Sequence, residues 1–145
     1  MTRVLTLKIN EHEVTGREDE SILTVARENN VRIPTLCQLE GLSNVGACRL
    51  CLVEVKGVSK LLPACTTRIA EGMEILTDSE RLQKYRRMTI ELLFAEGNHI
   101  CSVCVANGHC ELQNQAIALG MEKLGHGPFH RHFARKMKPC RNSGA

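Results

Sequence analysis

PTLCQLEGLSNVGACRLCLVEV, residues 34–55, decides the fold. Pro34 opens the stretch, Gly41 and Gly46 interrupt it, and Leu52 begins an alternating run toward Lys56. Such punctuation predicts a long loop leading into a strand. Three cysteines lie in it: Cys37, Cys48 and Cys51. The C-x2-C pair sets two sulfurs on one side of a tight turn, and Cys65 completes a C-x10-C-x2-C-x13-C set. Small residues at Gly41, Ser43, Gly46 and Ala47 let backbone N–H groups approach metal-bound sulfide, where hydrogen bonds tune an iron–sulfur centre. A four-cysteine zinc site uses similar ligand chemistry and stays open here. Structural zinc sites, however, usually pair two C-x2-C knuckles, whereas these outer cysteines stand alone.

Upstream, Val4, Leu5, Leu7 and Ile9 interleave with Thr6 and Lys8, which predicts a strand, with His12 to Gly16 returning as its hairpin partner. Ser21 caps a short helix through Ile22, Leu23, Val25 and Ala26 that ends at Asn29–Asn30. Downstream, Leu52 to Lys56, Lys60 to Ala64 and Met73 to Thr77 read as strands. Asp78 or Ser79 caps a second helix through Leu82, Tyr85, Met88, Ile90, Leu92 and Leu93 to Gly97, and a shorter helix runs from Glu111 to about Leu119. The fold class is α+β. A β-rich module spans 1–77, a helical cysteine module 78–122 and a basic tail 123–145.

The second module holds H-x-C-x2-C-x5-C: His99, Cys101, Cys104 and Cys110. Three thiolates and one imidazole can fill the four iron positions of a cubane. A neutral imidazole in place of a thiolate removes negative charge and favours the reduced form. Because it binds only when neutral, assembly should weaken at low pH. A zinc knuckle of the same residues stays open.

Charge and length limit the alternatives. Residues 1–122 hold 13 Lys/Arg against 16 Asp/Glu, a net of −3, while residues 123–145 hold six Lys/Arg and no acid. An acidic body with a basic tail argues against a nucleic-acid-binding face. MTRVLTLKIN lacks the apolar core of a secretory signal, and no stretch has the roughly 18 apolar residues of a membrane span. A cytoplasmic location is expected, where thiols bind metal rather than form disulfides. No GxGxxG or GxxxxGK[ST] occurs, so no nucleotide site is expected.

Residues 1–77 resemble a plant-type [2Fe–2S] ferredoxin domain, a β-grasp fold, with a wider first spacing than the plant pattern. The passage Pro34–Val55 is similar to three families: the N-terminal domain of the large iron–sulfur subunit of respiratory complex I, iron-only hydrogenases, and the diaphorase small subunit of NAD-reducing bidirectional hydrogenases. YRRMTIELLFAEGNH (Tyr85–His99) and CELQ (Cys110–Gln113) most resemble the last. The resemblance implies one [2Fe–2S] cluster on Cys37, Cys48, Cys51 and Cys65, and one [4Fe–4S] cluster on His99, Cys101, Cys104 and Cys110. The related motif is H-x3-C-x2-C-x5-C; here its histidine position is Gly97, and His99 is the preferred ligand over its rival His109. The relatives continue into further cluster motifs, so a shortened, two-cluster relative is expected.

The implied function is electron relay within a hetero-oligomer, between a flavin-containing NAD(P)H-oxidising subunit and a catalytic subunit such as hydrogenase or formate dehydrogenase. The chain itself is expected to perform no bond chemistry. Two rival readings use the same residues: a zinc-stabilised assembly or adaptor module, and a redox-sensing cluster protein with the basic tail as its output surface. Cys140 reads as an unpaired thiol, and His126, His130 and His132 as part of a solvated tail. Arg49, between two ligands, reads as a charge offset for the cluster or a partner contact, and Arg86 and Arg87 as a solvated or docking helix face.

Overall fold

Alternation at Val4–Ile9 turns Leu5, Leu7 and Ile9 to one face, and this segment forms β1. It pairs antiparallel with β2 (His12–Arg17), Ile9 opposite His12. Asn10 and Glu11 both take positive φ (50° and 70°), the geometry of a two-residue type I′ hairpin turn. These observations come from a computed structural model that describes residues 3–39, 41–96 and 99–121. Residues 123–145, with Cys140, His126, His130 and His132, lie outside the described residues, as does Gly97.

Helix α1 (Ile22–Glu28) follows. The Ser21 hydroxyl accepts from the Thr24 amide at 3.2 Å, a cap worth about 1 kcal/mol. Its C-terminus closes on Asn30 at φ 58°, with the Val31 amide reaching the Ala26 carbonyl and the Asn30 amide reaching Arg27. Ile22, Leu23, Val25 and Ala26 are buried against Leu5, Leu7, Ile9, Val14, Val53, Val55 and Ile75. Close packing here requires Gly16: a Cβ there would sit 2.5 Å from Val25 Cγ2 and 2.9 Å from Ile69 Cδ1.

Strands β3 (Leu52–Val55), β4 (Leu62–Pro63) and β5 (Glu74–Leu76) complete a five-stranded sheet in the order β2-β1-β5-β3-β4. The last strand in sequence thus enters between β1, which it meets parallel, and β3, which it meets antiparallel. Asn10 fastens that join, its amide donating to Thr77 Oγ1 at 2.7 Å while its carbonyl oxygen accepts the Thr77 amide at 2.9 Å. The strand expected over Lys60–Ala64 shrinks to two residues. Pro63 has no N–H to extend a ladder, and β4 lies at the sheet edge where proline is tolerated.

Helix α2 (Glu80–Glu96) is capped by Ser79, whose hydroxyl accepts the Leu82 amide at 3.1 Å. Its buried positions are Leu82, Arg86 and Ile90, a stripe at i, i+4 and i+8. Tyr85, Met88 and Leu92 are exposed, so the apolar residues expected to face inward do so only in part. The expectation that Arg86 lies on a solvated face is corrected: it is 3% exposed. The chain divides into two compact units between Thr89 and Ile90, inside α2. The second unit contains a 3-10 turn (Cys101–Val103) and helix α3 (Glu111–Ala118).

Candidate metal centres

The loop from Pro34 to Cys51 connects α1 to β3, and its backbone turns at Gly41, Gly46 and Arg49, all with positive φ. Gly46 is needed twice over. Its φ is 65°, and a Cβ would meet Thr66 Cγ2 at 3.0 Å and approach Cys65 Sγ at 3.9 Å. Arg49 takes φ 57° without glycine's freedom, a left-handed conformation costing about 1–2 kcal/mol. It stands between Cys48 and Leu50 with its side chain exposed.

The four cysteines of the first set come together. The Cys48 amide donates to Cys37 Sγ at 3.4 Å, and Cys51 Sγ lies 3.4 Å from Cys65 Sγ. Cys51 and Cys65 are buried, whereas Cys37 and Cys48 are half-buried. Burial pushes the Cys37 thiol up, but the Cys48 amide and thiol and the Ala47 amide outweigh it and hold the pKa below the ordinary thiol value. Cys65 shows the opposite balance. Burial, then its hydrogen bond with Cys51, then the neighbouring charges of Cys51, Cys37 and Cys48 push it up to about 12. The loop therefore aims amides at Cys37 and sets Cys51 against Cys65 in the interior.

That donor set fits an iron–sulfur centre. It offers four thiols, amides directed at sulfur, and a glycine at 46 where a side chain would press on Thr66 and approach Cys65. Two sulfurs on one tetrahedral metal with bonds of about 2.3 Å lie roughly 3.8 Å apart, close to the Cys51–Cys65 separation. Among the described residues, no three of His, Cys, Asp and Glu gather at single-ion distance.

In the second unit, the Cys104 amide donates to the Cys101 carbonyl at 3.2 Å, closing the 3-10 turn. Side chains three apart eclipse on such a turn, so Cys101 and Cys104 share a side. Cys110 is the N-cap of α3. His99 is held by its own unit: Nε2 lies 3.2 Å from the Leu93 carbonyl, and its ring meets Phe94 edge-on with centroids 5.2 Å apart. With Nε2–H donated to that carbonyl, Nδ1 is the nitrogen left to bind metal. His109 is in the turn before Cys110, its amide bonded to the Ala106 carbonyl.

Sequence reasoning assigned no role to Gln113. Its side-chain carbonyl accepts the Gly108 amide at 3.2 Å and its NH2 donates to Asn107 at 3.1 Å, so it ties down the turn between Cys104 and Cys110. The signal was present in CELQ, where an amide side chain stands three residues after Cys110, within the first turn of α3. Arg86 was misread because its neighbours in sequence are polar, and only the fold shows the three carbonyls around it.

Residues 2–80 match the family described as a 2Fe-2S iron-sulfur cluster binding domain, and residues 86–124 match the NADH-ubiquinone oxidoreductase-G iron-sulfur binding region. The chain is 37% identical over 124 residues to the NADPH-Fe(3+) oxidoreductase subunit alpha of Geobacter sulfurreducens, covering 86% of this chain and 15% of that protein. It is 39% identical over 107 residues to the NAD-reducing hydrogenase HoxS subunit gamma of Cupriavidus necator, covering 74% of this chain and 45% of the relative. A crystal structure of NAD+-reducing [NiFe]-hydrogenase in the H2-reduced state contains a chain with TM-score 0.77 and 35% identity, covering 86% of this chain and 53% of that one. The chain thus spans about half, or less, of the length of these relatives. The resemblance read from Pro34–Val55 and Tyr85–His99 is borne out, as is the α+β ferredoxin-like fold. The two modules are those of a [2Fe–2S] and a [4Fe–4S] cluster, and the chain belongs to the 2Fe-2S iron-sulfur cluster binding domain family, with an oxidoreductase-G iron–sulfur binding region following it.

Proposed function

We propose that this chain is an electron-relay subunit in which Cys37, Cys48, Cys51 and Cys65 hold the [2Fe–2S] cluster, and His99, Cys101, Cys104 and Cys110 hold the [4Fe–4S] cluster. Each cluster, when bound, supplies a one-electron couple. The observation that carries the reading is the convergence of four thiols on the Pro34–Cys51 loop and Cys65, inside a matched [2Fe–2S] domain. Cys51 with Cys65, and Cys37 with Cys48, are the two close pairs that would hold the cluster from its two sides. His99 binds through Nδ1, with Leu93 fixing the tautomer. Residues 1–77 form the first cluster domain, 78–122 the second, and 123–145 a basic extension.

The partners are a flavin-containing NAD(P)H-oxidising subunit and a hydrogenase catalytic subunit, within a cytoplasmic hetero-oligomer. Two relatives are named as subunits of NAD- or NADP-reducing hydrogenases. Leu39, Leu42 and Val45 support a docking surface beside the first cluster, because these large apolar side chains stay exposed on the cysteine loop. No described helix is long and apolar enough to cross a membrane. The protein's own work is to hold the clusters, shield Cys51 and Cys65 from water, and direct amides at sulfur. The test mixes the anaerobically purified chain with the flavin subunit of an NAD-reducing hydrogenase and NADH. Cluster absorbance should bleach only with both present. Reduction by dithionite but never by NADH with the flavoprotein would overturn the relay.

A further inference from the structure

Arg86 is a charged group in the interior, 3% exposed. Its Nε donates to the Leu50 carbonyl at 3.3 Å, and Nη2 donates to the carbonyls of Leu52 at 3.0 Å and Thr77 at 2.8 Å. Leu50 and Leu52 flank Cys51, which is itself 1% exposed and whose carbonyl accepts the Ala64 amide at 2.9 Å. Among the described residues, the ion-pair partner of Arg86 is Asp78, whose Oδ1 lies 4.0 Å from Nη1 and which is 70% exposed. Solvent screens that carboxylate, so it offsets little of the cost of a buried cation. A buried guanidinium with neutral carbonyls as its close partners is costly unless another negative charge lies nearby. The charge that fits is that of the thiolate-bound centre held by the turn Arg86 grips.

We propose that Arg86 is a positioning residue for the [2Fe–2S] centre, its buried positive charge favouring the reduced state while its fork fixes the Leu50 and Leu52 carbonyls on either side of Cys51. Reduction of a bound centre by one electron, given up by a reduced flavin that is oxidised in turn, would add one negative charge, and a buried cation held on the carbonyls either side of Cys51 would stabilise that added charge more than the oxidised state. Arg49 carries the same charge closer in sequence, but its side chain is exposed and screened. The inference rests on the assignment of Cys51 as a cluster ligand.

The experiment uses the full chain, purified anaerobically, as wild type and as Arg86→Lys, Arg86→Gln and Arg86→Met. Iron and sulfide are counted, and the [2Fe–2S] EPR signal is followed through a mediated dithionite titration. At a fixed poise, the ratio of reduced to oxidised cluster should fall at least about tenfold in the Gln and Met variants, which for one electron is 59 mV. The Lys variant, which keeps the charge and loses the planar fork, should stay within about threefold of wild type. Failure of Gln and Met to hold a cluster that Lys does hold also supports a required cation. Wild-type potentials in the neutral variants overturn the proposal, as does a Lys variant that behaves like Gln or loses the cluster along with them. A wild-type chain with no [2Fe–2S] signal would instead overturn the ligand assignment.

Discussion

Gly46→Ala tests the cysteine loop where two costs meet. The first is conformational: φ is 65°, and a Cβ in that region costs about 1–2 kcal/mol. The second is steric: the new Cβ would stand 3.0 Å from Thr66 Cγ2, so Thr66 must shift by a few tenths of an ångström beside Cys65, the proposed ligand. A further ~0.5–1 kcal/mol is reasonable for that local overpacking, giving ~1.5–3 kcal/mol in all. The two parts separate in a double-mutant cycle. Thr66→Ser removes Cγ2 and keeps the hydroxyl, so Gly46→Ala/Thr66→Ser should recover the steric part and leave the conformational part. The assay is urea unfolding of the cluster-free chain, with iron and sulfide counted on the reconstituted protein. Gly46→Ala should lower the midpoint and the [2Fe–2S] occupancy, and the double variant should recover part of both. A Gly46→Ala chain within about 0.5 kcal/mol of wild type would refute the reasoning, because even the backbone cost alone exceeds that.

Cys65 predicts a pH dependence for the cluster-free chain. Its folded pKa of about 12 lies above the ordinary 9.0, so below pH 9 the thiol is neutral in both states and contributes nothing. Above pH 9 the unfolded chain loses the proton and the folded chain keeps it, so stability falls toward pH 12 by up to ~4 kcal/mol. Cys37, shifted down, works the other way, and Cys65→Ser should flatten the decline; an unchanged slope between roughly pH 8 and 11 would contradict this. Gln113→Ala removes both clamps on the Asn107–Gly108 turn and should lower [4Fe–4S] content while sparing the [2Fe–2S] signal; equal loss of both signals would count against a local role. Gly16→Ala drives a Cβ into Val25 and Ile69 and should cost ~1–3 kcal/mol of stability, read by thermal unfolding, with no change in cluster type.

Much of this was legible in the chain. The alternation of β1 and β2, the Ser21 cap, a cap at Asp78 or Ser79 that falls to Ser79, and the helix at Glu111 are local signals, each set by side-chain periodicity or a capping group within a few residues. The closeness of Cys37 to Cys48 and of Cys51 to Cys65 was legible because cysteine spacing and small residues encode a loop that closes on sulfur. Strand order was not. The insertion of β5 between β1 and β3 depends on pairing across some 65 residues, and on Asn10 meeting Thr77, which no local pattern encodes. Arg86 failed for a related reason. A charged residue among polar neighbours reads as solvated, and its burial follows only from carbonyls 9, 34 and 36 residues away. The type I′ turn at Asn10–Glu11 was also hidden, since Glu11 lacks the glycine that usually marks one.

The most direct test of the two-cluster account is low-temperature EPR of the dithionite-reduced, anaerobically purified chain, with iron and labile sulfide counted on the same sample. The account predicts a slowly relaxing [2Fe–2S] signal and a fast-relaxing [4Fe–4S] signal, with His99→Ala removing only the second. Zinc in place of iron and sulfide, or a fast-relaxing signal that survives in His99→Ala, would contradict it.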